Sequence, residues 1–259
     1  MKIGYFLSCE EYTPAELVEQ ARLAEEAGFS SLWISDHYHP WNDEQGQSPF
    51  VWPVIGAVSQ ACSLPVTTAV TCPTVRIHPA VIAQAAATSA VLLSGRFVLG
   101  VGSGEALNEH ILGDPWPSID VAARIGDGYV ATMPDADMVD RFKDASGGRP
   151  AVAGAKVAFA DSEEEGVRIA HRLWANSGVP GELAQVLPSP RHFEQASQLV
   201  TEEMTGESVT AGNDVQAHLD NLKSYAEAGY DEVNVANMGP HWREMIEFYG
   251  REVLPTFSA

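Results

Sequence analysis

The spacing of apolar positions changes several times along the chain, and each change predicts a new element. Residues 3–7 alternate apolar side chains with other residues and predict a short strand. Residues 13–16 (TPAE) then supply an N-cap, a proline at the first helical position and a capping glutamate. Apolar residues recur at helical spacing up to Gly28, and residues 31–35 (SLWIS) follow as a buried strand. The first 35 residues therefore predict one β-α-β unit.

The same alternation of strand and helix patterns continues to the end of the chain. Further strands are predicted at residues 65–71, 97–102, 128–132, 156–160 and 232–238. Helices are predicted at residues 79–93, 135–144, 162–177, 191–203, 214–228 and 241–253. Seven apolar strands separated by helices predict an α/β protein with a parallel sheet covered by helices, either as a barrel or as a doubly wound sheet.

The positions of polar residues favour the barrel. Residues 36–39 (DHYH), 71–73 (TCP) and 103–105 (SGE) each follow the end of a predicted strand. Active-site residues occupy these positions in a TIM (β/α)8 barrel. We therefore expect residues 1–259 to form a single (β/α) barrel domain. The Gly- and Pro-punctuated stretch from Gly178 predicts an insertion or lid over residues 178–205.

Composition and charge exclude several classes of partner. With 35 acidic and 15 basic residues, the 259-residue chain has a net charge of −20. This charge argues against nucleic acid and anionic membrane surfaces as partners. Because no apolar run approaches about 18 residues and the N-terminal segment turns acidic at its tenth residue, we expect a cytoplasmic globular protein. Cys9, Cys62 and Cys72 form no CxxC pair, which excludes a disulfide framework and gives no metal scaffold.

The densest group of chemically active side chains follows the second predicted strand. Asp36, His37, His39 and Trp41 combine an acid, two imidazoles and an indole beside a buried strand, where desolvation can shift a histidine pKa. The alternative is that these side chains only satisfy one another at a strand end. A metal site of His37, His39 and Glu105 is a further hypothesis.

A glycine-rich turn at residues 100–104 lets the backbone approach a ligand at a helix N-terminus. The spacing of its glycines is not that of a dinucleotide-binding fold. Glu105 after this turn is either a proton-transfer group facing His37 or an acid complementing the helix dipole. Arg76 either meets an anion or pairs locally, and Cys72 lacks a sequence-paired histidine that would activate a nucleophile.

Three motifs together carry a resemblance to a known family. They are SDHYHPW at residues 35–41, TCPTVRIHPAVIAQAAAT at 71–88 and RFVLGVGSGEALNEH at 96–110. They resemble the luciferase-like superfamily of flavin and deazaflavin barrels and are most similar to its coenzyme F420-dependent glucose-6-phosphate dehydrogenase family. The resemblance covers residues 1–117 and continues more weakly through ARIGDGYVAT (123–132) and YGREVLP (249–255). It implies a (β/α)8 barrel, a homodimer and the hydride carrier F420.

The resemblance also implies roles for individual residues. Asp36 would touch the deazaflavin, His37 and Glu105 would form the acid/base pair, and Trp41 would stack near the reacting carbon. The remaining cofactor-side residues would be Ala69 and Val70, joined by a cis peptide bond, together with Cys72, Ser103, Gly104 and Asn108. Cys72 stands where the family has a threonine. The division of acid and base roles between His37 and Glu105 stays open.

The chain departs from the family pattern in two places. After Pro117, roughly 60 residues, about two β-α units, are absent, so we expect an incomplete barrel with two open strand edges. The absent strand would precede the loop that binds the cofactor phosphate. In the sugar-phosphate clamp, Thr132 is retained, but Asp135, Ala184 and Glu207 align with its basic positions. A phosphate would be repelled there, so we expect a substrate other than glucose 6-phosphate.

These observations predict an F420-dependent oxidoreductase that transfers a hydride between an alcohol or other reduced carbon and the deazaflavin. One alternative is an FMN-dependent monooxygenase or reductase of the same superfamily. A second alternative is a truncated, non-catalytic remnant, and a third is a metal-dependent hydrolase. The sequence leaves the substrate and the reaction direction open.

Overall fold

The computed structural model describes residues 1–73, 76–102, 118–180 and 183–257. Parallel strands and helices alternate through these ranges. The strands are β1 (Lys2–Leu7), β2 (Leu32–Ile34), β3 (Val66–Thr68), β4 (Phe97–Val98), β5 (Tyr129–Ala131), β6 (Ala151–Ala158), β7 (Thr210–Ala211) and β8 (Glu232–Asn237).

Most helices lie between successive strands. They are α1 (Pro14–Ala27), α2 (Val51–Ala61), α3 (Pro79–Leu92), α4 (Ser118–Ile125), α5 (Ala136–Ser146), α6 (Glu163–Trp174), α7 (Leu183–Val186), α8 (Pro190–Ser197), α9 (Glu202–Ser208), α10 (Val215–Glu227), α11 (Trp242–Phe248) and α12 (Leu254–Phe257). A 3₁₀ turn at Ala175–Gly178 extends α6, and a π-helical turn at Tyr249–Val253 joins α11 to α12.

The sheet is a curled half-barrel. Its strand order is β4-β3-β2-β1-β8-β6-β5, every pairing in it is parallel, and the short β7 pairs with β6 alone among the described strands. Strands β4 and β5 are the two ends of this order. The incomplete (β/α) barrel of about seven strands that the sequence predicts is therefore confirmed.

Helix α1 forms where local sequence signals place it. The Thr13 side chain accepts a hydrogen bond from the Glu16 backbone N–H, and the Glu16 carboxylate accepts one from the Thr13 N–H at 2.9 Å. The helix ends at Gly28, whose φ of 97° lies in the left-handed region that favours glycine. Leu17 and Ala21 on its inner face are fully buried against the sheet. The capping box and the C-terminal glycine thus fix both ends, as predicted.

Several predicted elements differ from those in the structure. Strand β6 begins at Ala151 and not at Lys156, because the apolar alternation starts five residues earlier than predicted. The helix predicted at residues 191–203 is two helices, α8 and α9, and Thr201 caps the second of them by accepting from the Met204 N–H. Helix α2 and strand β7 were not predicted. No helix in the described part of the chain is long and apolar enough to span a membrane.

Candidate functional site

A cavity of about 700 Å³ opens at the carboxyl ends of the strands. It is lined by every predicted site residue that falls within the described ranges. These are Asp36, His37, Trp41, Ala69, Val70, Cys72 and Thr132. The predicted residues Ser103, Gly104, Glu105 and Asn108 lie outside the described residues. The strand-end rule of barrel folds thus brought together side chains that are far apart in sequence.

Asp36 is held by two partners at the end of β2. One carboxylate oxygen accepts a hydrogen bond from Thr71 Oγ1 at 2.8 Å, and the other forms an ion pair with the Arg76 guanidinium. The Asp36 side chain is almost fully buried. Of the two interpretations of Arg76, the local pair is the one seen, and it compensates the charge of the buried carboxylate.

His37 pairs with Glu10, which follows β1. The distance between His37 Nε2 and Glu10 Oε1 is 3.6 Å, and both side chains are largely buried. Ser35 Oγ donates to the other Glu10 oxygen at 2.8 Å and accepts from the Cys9 N–H at 2.8 Å. The second ring nitrogen of His37, Nδ1, is buried and has no hydrogen-bond partner among the described residues. The pair can therefore take up a proton at the imidazole and stabilise its positive charge through Glu10.

Trp41 covers His37 from the adjoining loop. The two ring centroids are 4.9 Å apart, and the Trp41 ring contacts Phe193 of α8 at 5.0 Å. Gln45 ties this loop to α6 by accepting from the Trp41 N–H at 2.9 Å and donating to the Leu173 carbonyl at 3.1 Å. The Phe193 contact brings the segment 178–205 next to the cavity, and its function as a lid stays a prediction.

The β3 side of the cavity has the backbone feature that the resemblance implies. The peptide bond between Ala69 and Val70 is cis, which confirms that prediction. At Gly102 a Cβ atom would lie 2.4 Å from Val70 Cγ2, so only glycine fits beside this wall. The missing side chain at Gly102 thus lets Val70 pack against the backbone at the end of β4.

The opposite wall comes from β5, β6 and the end of α6. Lys156 on β6 places its ammonium 3.7 Å from the centroid of the Trp174 ring. The Trp174 indole N–H donates to one oxygen of Glu11, and the other oxygen of Glu11 accepts from the Gly239 N–H at 2.7 Å. The pKa of Glu11 is raised to about 7, mainly by burial and to a smaller extent by the nearby Glu10, against the lowering effect of both hydrogen bonds and of Lys156.

The predicted sugar-phosphate positions do not gather at the cavity, apart from Thr132. Asp135 caps α5 by accepting from the Met138 N–H, and Ala184 packs beside the small cluster that contains Val179. Glu207 is exposed on α9. Asp135, Ala184 and Glu207 are absent from the described cavity lining, and the expectation that they replace the basic clamp positions at the substrate stays a prediction.

Sequence reasoning missed Glu10, Glu11, Lys156 and Trp174. The strand-end rule that selected Asp36 also applies to β1 and would have selected Glu10. Lys156 was assigned to the start of its strand, where it would lie at the opposite end of the barrel. No sequence signal links Trp174 to the cavity, since its position depends on where α6 ends.

Metal binding finds no support in the described residues. Within these ranges no three His, Cys, Asp or Glu side chains are grouped closely enough to hold a metal ion. His39 Nδ1 lies 2.7 Å from the carbonyl oxygen of Pro40 and not at the cavity. The proposed third ligand, Glu105, lies outside the described residues, so the metal hypothesis stays untested.

Comparison with known proteins confirms the predicted resemblance. The model of the luciferase-like monooxygenase family matches residues 1–119. An F420-dependent glucose-6-phosphate dehydrogenase of Amycolatopsis mediterranei is 48% identical over 119 residues, which are 45% of this chain and 36% of that protein. The matched part thus spans about a third of this relative.

A second relative aligns along the whole chain. The F420-dependent glucose-6-phosphate dehydrogenase of Nakamurella multipartita is 26% identical over 330 positions, covering 100% of this chain and 97% of that protein. The alignment is 330 − 259 = 71 positions longer than this chain. The relative therefore contains residues with no counterpart here, which agrees with the predicted absence of an internal segment.

The fold is also similar to that of a solved F420-dependent secondary alcohol dehydrogenase, determined with an F420–acetone adduct. The TM-score is 0.85 at 23% identity, and the match covers 98% of each chain. At this identity the likeness establishes the fold alone.

Proposed function

We propose that this chain is an oxidoreductase that uses the deazaflavin coenzyme F420 and oxidises an alcohol. The relatives that match its N-terminal part are described as F420-dependent enzymes, and the structural neighbour is described as an F420-dependent alcohol dehydrogenase. The N-terminal part contributes most of the cavity wall, since β1, β2 and β3 and the loops after them lie within residues 1–119.

The residues present fit a flat, uncharged ring system. Ala69 and Val70 line one side of the cavity, and Trp33, Trp41 and Trp174 add apolar surface. The unpartnered Nδ1 of His37 is a buried polar atom that a bound molecule would satisfy. Ala69, Val70, Asp36 and Cys72 would hold the deazaflavin. When bound, F420 supplies the carbon that accepts a hydride.

The single observation that carries the proposal is the His37–Glu10 pair at the cavity. Oxidation of an alcohol breaks the carbinol C–H bond as a hydride and the O–H bond as a proton, and leaves a carbonyl. His37 would accept the hydroxyl proton, and the Glu10 carboxylate at 3.6 Å would stabilise the resulting imidazolium. Trp41 against the His37 ring would exclude water from the reacting groups.

The test combines cofactor binding with turnover. Oxidised F420 is titrated into the purified chain and followed by quenching of its fluorescence, with FMN as competitor, and reduction of F420 is then measured with propan-2-ol and butan-2-ol. We expect binding at micromolar concentration. The substitution His37→Ala should reduce turnover by about 10² or more with F420 binding and folding retained, since a positioned base contributes that much.

His39→Ala is the matched control because His39 is the next imidazole in the chain and contacts only its own loop carbonyl among the described residues. It should leave turnover within about twofold of the unsubstituted chain. Binding of FMN in preference to F420 would favour the FMN-dependent alternative. A folded protein that binds neither would be the non-catalytic remnant, and unchanged turnover in His37→Ala would overturn the assignment of the base.

We further propose a small neutral or weakly anionic alcohol in place of glucose 6-phosphate. Among the described cavity residues, Thr132 is the member of the predicted clamp that is present, and of the lysine and arginine side chains there, Lys156 and Arg76, the latter is paired with Asp36. A phosphate dianion needs several cations for tight binding. Glucose 6-phosphate should therefore be a poorer substrate than small secondary alcohols in the same assay.

A further inference from the structure

The cavity has a second charged wall that the proton-transfer pair does not use. Strand β6 forms this wall, and β1 and β8 separate it from β2, which positions His37. Inward-facing positions of β6 include Gly154 and Lys156, two residues apart on the same face. A Cβ on Gly154 would lie 3.0 Å from the Trp33 ring, so a larger residue there would crowd this ring, which lines the cavity. Lys156 lies two residues further along β6, toward the carboxyl end of the strand.

Lys156 is held in a defined position. Its ammonium lies over the Trp174 ring at 3.7 Å and donates to Ser177 Oγ at 3.2 Å. A cation over an indole face is stabilised by the ring quadrupole without losing its charge. Trp174 is in turn fixed by its hydrogen bond to Glu11. The arrangement therefore presents a lysine at the cavity wall on a rigid support.

The adjacent residues Glu10 and Glu11 connect this wall to the proton-transfer pair on the other side of the cavity. Glu10 reaches His37, and Glu11 reaches Trp174. The end of β1 thus holds the base on one side of the cavity and the Lys156–Trp174 stack on the other. A molecule that contacts both His37 and Lys156 needs a hydroxyl and a second polar group.

The charges of the lining residues decide what that second group is. Asp36 and Arg76 form an ion pair, Glu10 faces His37, and the Glu11 carboxylate near Lys156 accepts hydrogen bonds from Trp174 and Gly239. Lys156 is one of four lysines in a chain of net charge −20, so a lysine at this cavity is a local feature and not a property of the whole surface. One ammonium suits a single negative charge, and a carboxylate carries that charge on oxygens that accept from an ammonium.

We propose that Lys156 binds a carboxylate of the substrate, so that the alcohol oxidised at this site is a hydroxy acid. This inference rests on the oxidoreductase function proposed above and adds the substrate class to it. Oxidation would turn the hydroxy acid into the oxo acid, with the hydride passing to F420 and the hydroxyl proton to His37. The carboxylate itself undergoes no bond change. Lys156 is a specificity-determining residue in this scheme.

The test compares hydroxy acids with matched neutral alcohols. F420 reduction is measured with lactate against propan-2-ol and with 3-hydroxybutanoate against butan-2-ol, for the unsubstituted chain, Lys156→Met and Lys156→Arg. We expect kcat/KM for the better hydroxy acid to exceed that of its neutral partner about 10- to 100-fold, through a lower KM, as charge-assisted hydrogen bonds produce. Lys156→Met keeps the length of the stem against Trp174 and should bring the ratio of kcat/KM for the hydroxy acid to kcat/KM for its neutral partner down to about one, and Lys156→Arg should restore much of the ratio.

Failure of this inference differs from failure of the proposed function. Turnover of neutral alcohols without any preference for the acids, or a preference that survives in Lys156→Met, would overturn the role of Lys156 and leave the oxidoreductase function standing. Absence of turnover with every alcohol would overturn the oxidoreductase function. In that case butanoate is titrated into the F420-free protein while tryptophan emission is recorded. A change in emission that is absent from both Lys156→Met and Trp174→Phe supports the carboxylate site. An unsubstituted chain whose emission does not change overturns the carboxylate site.

Discussion

Glu10 and Glu11 are neighbours in the chain with different surroundings. Glu10 lies at the cavity beside His37 and Ser35. Glu11 points the other way and bridges the Trp174 indole and the backbone of Gly239. Two hydrogen-bond donors partly replace the water that the buried Glu11 carboxylate has lost. The free-energy cost of burying the ionised form remains, so the stability of the protein depends on the protonation state of Glu11.

Glu11 should make the stability of the protein depend on pH near neutrality. Burial raises its pKa from the ordinary value of 4.5 to about 7 in the folded chain. The folded state therefore binds this proton more tightly than the unfolded state. The stabilisation is complete below pH 4.5 and is lost as the pH rises through 7. Relative to Glu11→Gln, the free energy of unfolding should fall by roughly 1–3 kcal/mol between pH 5 and 8.

Urea unfolding followed by circular dichroism at several pH values measures this difference. Trp174→Phe removes a hydrogen bond that favours the ionised form of Glu11, so it should move the loss of stability to higher pH. Parallel pH profiles for the unsubstituted chain and Glu11→Gln would show that Glu11 does not titrate in this range.

At the residue scale, predictability depends on whether a site residue has a local signal. Asp36, His37 and Trp41 follow a strongly apolar strand within six residues, and the structure brings all three to the cavity. The contribution of Lys156 depends on the register of β6, and that of Trp174 on the end of α6. Packing between elements decides the register of β6 and the end of α6, and the pattern of residues in one segment does not reveal how that segment packs against others.

At the element scale, strands and helices with local capping or clear periodicity were predicted well. Helix α1 has both of its ends encoded by caps. Helix α2 begins after Phe50 without a side-chain cap, and β7 has two residues, so neither has a signal to find. The break between α8 and α9 depends on Thr201, a cap inside an otherwise continuous helical pattern.

Strand β1 depends on a glycine at its centre. A Cβ at Gly4 would lie 2.0 Å from Asn234 Oδ1 and 2.2 Å from Ser31 Oγ. These two groups are hydrogen-bonded to each other at 3.1 Å, and Ser31 also donates to Glu232. Gly4→Ala should therefore disrupt a buried polar network between β8 and the start of β2, and lower the free energy of unfolding by about 2–4 kcal/mol.

Gly206→Ala is the control for this substitution. In α9 the new Cβ would meet Val167 Cγ2 at 3.5 Å, an ordinary contact, and alanine favours helix. Chemical denaturation should show a large decrease in the free energy of unfolding for Gly4→Ala and no decrease for Gly206→Ala. Equal stabilities would mean that β1 and its neighbours shift easily to admit a methyl group.

At the scale of the whole molecule, the count of strands and the gap after Pro117 predicted an incomplete barrel, and the curled sheet confirms it. The open ends of the sheet are β4 and β5, because these two strands lie at the ends of the strand order. The cavity is lined by residues at the ends of β1, β2, β3, β5 and β6, and the proton-transfer pair follows β1 and β2, which are not open ends. The missing part of the barrel thus lies away from the proton-transfer pair.

The resemblance predicts a homodimer, and α3 offers a surface for it. This helix has no charged residue in 14 positions and buries only Ile82 and Ser89 among its side chains, while Val91 is 79% exposed. In a chain of net charge −20, an uncharged apolar face is where a second copy can approach with the least repulsion. We therefore expect a particle of 2 × 27.8 = 55.6 kDa in solution.

Light scattering during size-exclusion chromatography measures this mass directly. Val91→Glu places a charge on the α3 face and should raise the dimer dissociation constant about tenfold or more, because two buried carboxylates would face the interface. Leu199→Glu is the matched control, since Leu199 is equally exposed at 79% and lies between α8 and α9. A monomeric unsubstituted chain would contradict the homodimer. A dimer that Val91→Glu leaves intact would show that the second copy binds through another face, with α3 open to solvent.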